Sequence, residues 1–154
     1  RRPHLRSGAL MGLKISINMV RLKQDLVIEM ERLRAANRPA AQAGAQIVYE
    51  RAKQHAPVSD APHRFHGTHA VYGPYSPGNL RDSIYQAFSK DNSFLDNAVY
   101  HVSWNADKAP YGGMVELGTS TAAAHPFIGR AVAETRSQVI QAIRQRYVDE
   151  VTRA

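Results

Sequence analysis

The chain has 154 residues, 44% of them hydrophobic, and 20 Lys and Arg against 13 Asp and Glu give it a net charge of +7. This length and composition predict one globular domain with a sizeable core. The absence of cysteine excludes disulfides and thiolate metal sites, and no apolar run approaches the length of a membrane span. This excess of positive charge makes nucleic acid or an acidic protein surface a candidate partner.

Residues 1–10 (RRPHLRSGAL) show no periodicity and precede Met11. We interpret them as a vector-derived or unprocessed leader and assign residues 11–154 to a single domain. Arg1, Arg2 and Arg6 supply three of the net positive charges, so the remaining excess is a weak indication of DNA binding.

Two interpretations compete at the start of the domain. The residues after Met11 fit the loose myristoylation pattern, with Gly12 and Ser16 at the required positions. The alternation of apolar and polar residues over Leu13–Ile17 instead predicts a half-buried edge strand, which we favour.

Two helices are predicted next. Apolar residues recur at helical spacing from Met19 to Leu33, and a second helix is expected from Pro39 to about Ala56, because Pro39 suits a helix start. Small side chains line the inner stripe of the second helix and allow close approach of a neighbour: Ala41, Ala45, Val48 and Ala52.

Residues 57–78 are rich in proline, glycine and histidine, which predicts a long loop. His63, His66 and His69 are spaced by three, near His55 and Asp60, but structural zinc sites generally also use cysteine, so no metal site is predicted. The aromatic and basic residues of this loop either contact a partner or nucleic acid, or attach the loop to the domain: Arg64, Phe65, Tyr72 and Tyr75.

Strands are predicted over Ser83–Phe88 and Ala98–Trp104, where side chains alternate, and the polar segment between them predicts a hairpin. Met114–Leu117 is expected to add a third strand and complete an antiparallel meander. Trp104 is interpreted as a core anchor.

The segment Tyr111–Phe127 (YGGMVELGTSTAAAHPF) is predicted to join this third strand to a helix begun by Pro126. It resembles a phosphate-binding loop, but Thr119 stands where the lysine is required, so no nucleotide site is predicted. Glu116, beside turn hydroxyls and His125, lacks the context of a hydrolytic triad and is interpreted as an exposed edge acid.

A long amphipathic helix is predicted from Ile128 to Val151, with a basic outer face. The expected fold is therefore α+β: an antiparallel meander of three to four strands packed against two N-terminal helices and one long C-terminal helix, with a long loop rich in proline and histidine.

Several short motifs, taken in order, resemble the tail-component family of long-tailed bacteriophages and prophages. They cover most of the chain from Met11 to Arg146 and comprise Ala52-Lys53, Ala56-Pro57-Val58, Gly78 to Ile84, Tyr111, Val115-Glu116, Gly118-Thr119 and Pro126-Phe127. The chain departs from the family pattern at about residues 58–78, where the histidine-rich segment looks like an insertion.

The resemblance implies a virion structural protein of the head–tail junction or tail end, a tail-completion or neck component made in the bacterial cytoplasm. It implies a ring of identical subunits, with a hexamer as one candidate, that contacts connector or head-completion proteins, tail-tube or tail-terminator proteins, and passing genomic DNA. No catalytic residue, cofactor, metal or membrane is implied. Fold joints or subunit contacts rather than a pocket are expected at Pro57, Gly78, Leu80, Arg81, Tyr111, Glu116, Gly118, Thr119, Pro126 and Phe127.

The alternative function is that of a basic nucleic-acid-binding protein. It would use the loop at residues 60–77 and the outer face of the C-terminal helix.

Overall fold

Two long helices form the body of the protein in a computed structural model that describes residues 16–67 and 69–153. Strands and short helices lie between them, in the order α1 (Met19–His55), β1 (His63–His66), β2 (Val71–Tyr75), α2 (Asn79–Ser83), β3 (Ile84–Phe88), β4 (Tyr100–Trp104), α3 (Gly112–Leu117) and α4 (Ile128–Arg153). This mixture of helix and strand agrees with the predicted class. No helix in the described ranges is long and apolar enough to cross a membrane.

α1 is one continuous helix, and the predicted break at Pro39 is wrong. A proline inside a helix removes one backbone hydrogen bond and costs about 3 kcal/mol. Packing offsets that cost here, because Ala36, Ala40 and Gly44 on either side of Pro39 are buried. Asn18 caps the start of the helix, because its side chain accepts hydrogen bonds from the backbone N–H groups of Val20 and Arg21, at 3.1 and 3.2 Å.

α4 confirms the predicted C-terminal helix and runs antiparallel to α1. A Cβ atom added at Gly44 would lie 2.8 Å from the Ile143 side chain, so the two helices approach closely there. At the other end of the contact, His55 Nε2 lies 2.7 Å from Glu134 Oε2. Hydrogen bonds from Arg130 and His55 lower the pKa of the Glu134 carboxyl below its usual value.

Within the described ranges, the strands form two separate antiparallel pairs rather than one meander. β3 and β4 confirm the predicted hairpin, with Ile84 opposite Trp104 and Phe88 opposite Tyr100, although each strand begins slightly later than expected. The predicted third strand at Met114–Leu117 is wrong, since these residues belong to helix α3. Such a short apolar run has no periodicity that separates strand from helix.

The predicted loop at residues 57–78 contains the second strand pair. β1 and β2 form a hairpin in which Phe65 lies opposite Tyr72. The expected edge strand at residues 13–17 lies mostly outside the described residues, and its last two members, Ser16 and Ile17, are exposed and belong to no described strand. The leader at residues 1–10 also lies outside the described ranges.

Candidate functional site

The motif residues between Tyr111 and Phe127 form a joint that links α3 to α4. Gly118 ends α3 with a φ of 77°, and a side chain there would begin 2.7 Å from the Ala124 backbone nitrogen. Thr119 then closes a tight turn, because its hydroxyl accepts a hydrogen bond from the Ala122 N–H at 3.0 Å. The His125 N–H donates to the Val115 carbonyl at 2.7 Å, so the chain returns to α3 before α4 begins.

Glu116 is the N-terminal cap of α4. Its Oε2 accepts hydrogen bonds from the N–H groups of Phe127 and Ile128, at 2.7 and 3.0 Å, and its Oε1 accepts from Gly129 at 2.8 Å. These donors have no partner within the helix, and the positive end of the helix dipole favours a carboxylate. Glu116 therefore has a structural role rather than that of an exposed edge acid.

Substituting Glu116 with glutamine should lower the free energy of unfolding by about 1 to 2 kcal/mol, because an amide keeps one acceptor oxygen and loses the charge. Urea unfolding measures the change. The matched control is Glu50→Gln, since Glu50 is exposed and accepts one hydrogen bond, from Gln46, which a glutamine oxygen can retain. Equal stability losses in the two variants would contradict the capping role.

Phe127 lies at the centre of the core and is 0% exposed. Its ring meets the indole of Trp104 edge-on, with the ring centroids 5.7 Å apart, so the predicted role of Trp104 as a core anchor agrees with its position. Pro126, just before it, is exposed.

The motif at Gly78 to Ile84, which contains α2, packs beside the joint. Leu80 is 2% exposed, and Gly78 precedes the helix with a φ of 82°. Asn79 donates to the Tyr111 hydroxyl at 3.2 Å and to the Lys108 carbonyl at 2.8 Å, a connection that no local pattern in the sequence signals. Arg81 is exposed and pairs with Asp82 at 2.9 Å, which lowers the pKa of the Asp82 carboxyl.

An open groove of about 690 Å³ runs along this joint. Its apolar lining includes Phe65 and Leu80, and Thr119 and His125 add polar groups. Such a lining suits an apolar side chain better than a charged ligand. The motif residues that line the groove are Pro57, Gly78, Leu80, Tyr111 and Thr119.

The aromatic residues of the hairpin pack on the joint. Phe65 stacks on Tyr72 with centroids 4.9 Å apart, and both Phe65 and Tyr75 contact Tyr111, at 5.9 and 5.1 Å. This arrangement favours the interpretation in which these rings attach the segment to the domain. Arg64 is exposed beside them.

The histidines singled out in the sequence do not gather around one point. His63 packs edge-on against Tyr111, with the ring centroids 4.8 Å apart, whereas His55 pairs with Glu134 of α4. Within residues 16–67 and 69–153, no three side chains of the kinds that ligate metals are placed to hold an ion together.

Comparison with protein-family models, with curated proteins and with solved structures found no match to this chain.

Proposed function

We propose that this chain is a non-catalytic assembly protein of a bacteriophage tail or neck. It acts by associating with copies of itself, as a ring, and by docking to connector or tail-tube proteins in the virion. The support is the ordered set of motifs that resembles the tail-component family, together with the structural roles those motifs have.

The observation that carries the proposal is that Glu116 caps α4. It is the one acid of the joint motif, and both of its carboxylate oxygens accept hydrogen bonds from the backbone of α4. A carboxylate held in this way fixes the angle between α3 and α4 and is poorly placed to act as a general base. The motif is therefore better suited to a rigid scaffold than to a reactive centre.

Charge pairing weakens the nucleic-acid alternative. On α4, Arg130 pairs with Glu134 at 2.7 Å and Arg146 pairs with Glu150 at 2.8 Å, so part of the basic outer face is neutralised. Phe65 and Tyr75 also pack against Tyr111, which reduces the ring surface that is free to stack on bases.

Light scattering and negative-stain electron microscopy of the purified chain test the proposal. We expect closed rings of identical subunits. A monomer that shifts duplex DNA in a gel, with an affinity that falls steeply between low and physiological salt, would replace the assembly function with the nucleic-acid-binding one.

A further inference from the structure

Strand β1 has an outer edge that pairs with no other described strand. β1 and β2 form a two-stranded sheet, so each has one neighbour within the described residues. The Gly67 N–H donates to the Ala70 carbonyl at 2.8 Å, which makes these two residues a hydrogen-bonded pair. Bonded and non-bonded pairs alternate in antiparallel strands, so the next pair, His66 and Val71, points its backbone groups away from the hairpin. His66 therefore presents its N–H and C=O on the outer edge of β1.

The groove beside the joint runs along this same edge. β1 contributes His63, Phe65 and His66 to its lining, whereas none of the five residues of β2 lines it. Phe65 and His66 are neighbours whose side chains point to opposite faces of the strand, so both can line one groove only where it follows the edge. The apolar part of the lining includes Leu80 and Met114. A strand added to β1 would thus place alternate side chains in the groove.

The groove is distant from the start of the described chain. It adjoins Pro57 and Val58, which follow the C-terminal end of α1. The 37 residues of α1 separate that end from Met19 by about 55 Å, at 1.5 Å of rise per residue. Fifteen residues span at most about 54 Å when fully extended, so residues 1–15 are too short to lie along the groove as a strand.

The charge of the hairpin indicates what an added strand would carry. Residues 61–80 include Arg64 and three histidines but no Asp or Glu. Arg64 and His66 lie on the exposed face of β1, opposite to the half-buried Phe65. Opposite charges on neighbouring strands attract when they lie on the same face, so this face of the added strand favours acidic side chains.

We propose that β1 binds an extended segment of another protein in which acidic and apolar residues alternate. The segment adds a strand to the outer edge of β1 and bonds to the N–H and C=O of His66. Its apolar side chains enter the groove beside Phe65, and its acidic side chains lie near Arg64 on the opposite face. This contact goes beyond the proposed function, because the ring closes through contacts between identical subunits. The site on β1 can therefore hold or fail independently of the ring.

A blocked peptide tests the site in the full chain. The probe is the heptapeptide ETEFETE labelled with fluorescein, and its fluorescence anisotropy measures binding. Replacing its phenylalanine with serine should weaken binding at least about 10-fold, because no apolar side chain then fills the groove. Reversing its charges, as in KTKFKTK, should weaken binding about 5-fold, because like charges then face Arg64. Equal affinities for the three peptides would overturn the proposal.

N-methylation of the peptide tests the addition of a strand. Successive N–H groups of a strand point to opposite edges, so only every second one can bond to β1. Methylating that set of nitrogens should weaken binding at least about 10-fold, because His66 loses a hydrogen-bond donor. Methylating the other set should have little effect. The two sets are the glutamate nitrogens and those of threonine and phenylalanine, and equal effects of the two would overturn the proposal. This measurement uses the unsubstituted chain and does not depend on the folding of a variant.

His66→Pro tests the same edge from the side of the protein. The substitution removes the outward N–H, a change that edge strands tolerate, and it should abolish binding of ETEFETE. The matched control is Val71→Pro, which removes the outward N–H of the paired residue on the other edge of the hairpin and should leave binding unchanged. His66→Thr removes the imidazole and keeps the N–H, so it should retain most of the binding.

The two proposals fail differently. Peptide binding by a chain that forms no rings supports the site on β1 and removes the ring. Rings without peptide binding overturn the site and leave the proposed function in place. Equal losses of binding in His66→Pro and Val71→Pro overturn the site. Displacement of the peptide by an equal concentration of single-stranded oligothymidylate also overturns it and favours the nucleic-acid-binding function.

Discussion

Replacing Phe127 with alanine is expected to lower the free energy of unfolding by about 4 kcal/mol, because the substitution empties the centre of the core. Phe127 is 0% exposed and contacts Trp104, and the cluster around it includes Ala52, Leu80 and Ala131. These residues come from α1, α2, β4 and α4, so little of the cavity can close by the movement of one element. Denaturant titration followed by Trp fluorescence measures the loss.

Phe94→Ala is the matched control for this experiment. It makes the same chemical change at a side chain that is 73% exposed in the β3–β4 connection, where little packing is lost. A loss of about 4 kcal/mol should lower the melting temperature of a chain of this size by roughly 8–16 °C, and the control should leave it nearly unchanged. Similar melting temperatures for the two variants would show that Phe127 is not the centre of the core.

Replacing Gly112 with alanine is expected to cost about 3 kcal/mol, through overpacking against a rigid ring. A side chain at this position would begin 2.6 Å from Cδ1 and 2.7 Å from Cε2 of Trp104. The indole cannot rotate away easily, because its other contacts include Phe127. Either α3 or β4 must therefore shift.

Gly113→Ala provides a stringent control, because it adds the same methyl group one residue later in the same helix. Its side chain would begin 3.7 Å from Cζ2 of Trp104, an ordinary van der Waals distance. Alanine also favours helix over glycine, so this variant should be neutral or more stable by up to about 1 kcal/mol. Stability changes of opposite sign in Gly112→Ala and Gly113→Ala would support the close approach of α3 to Trp104, whereas equal changes would contradict it.

Both predictions concern the joint between α3 and α4, and so they bear on the proposed function. If the joint is a scaffold that orients surfaces for assembly, variants that destabilise it should lose assembly in proportion to the folded fraction.

The local patterns of the sequence predicted the elements that have strong periodicity. The alternation of side chains in β3 and β4 and the 3.6-residue repeat of α4 indicate which face of each element is buried. The hairpin and the C-terminal helix were therefore predicted with nearly correct bounds.

The errors fall where tertiary contacts override local preference. Pro39 does not end α1, because the burial of Ala36 and Ala40 beside it offsets the lost hydrogen bond. Met114–Leu117 forms a helix instead of a strand, with Gly112 packed against Trp104. β1 and β2 pair within the segment predicted as a loop because their aromatic rings have Tyr111 to pack against.

The sequence by itself determined the mixed class of the fold and the amphipathic faces of its helices, because side-chain periodicity is a local property. Tertiary structure alone decided that Glu116 caps a helix whose first N–H groups come from residues 11 to 13 positions away, and that Gly112 packs against Trp104. Both depend on where separate elements meet in space. No spacing within either element encodes that meeting.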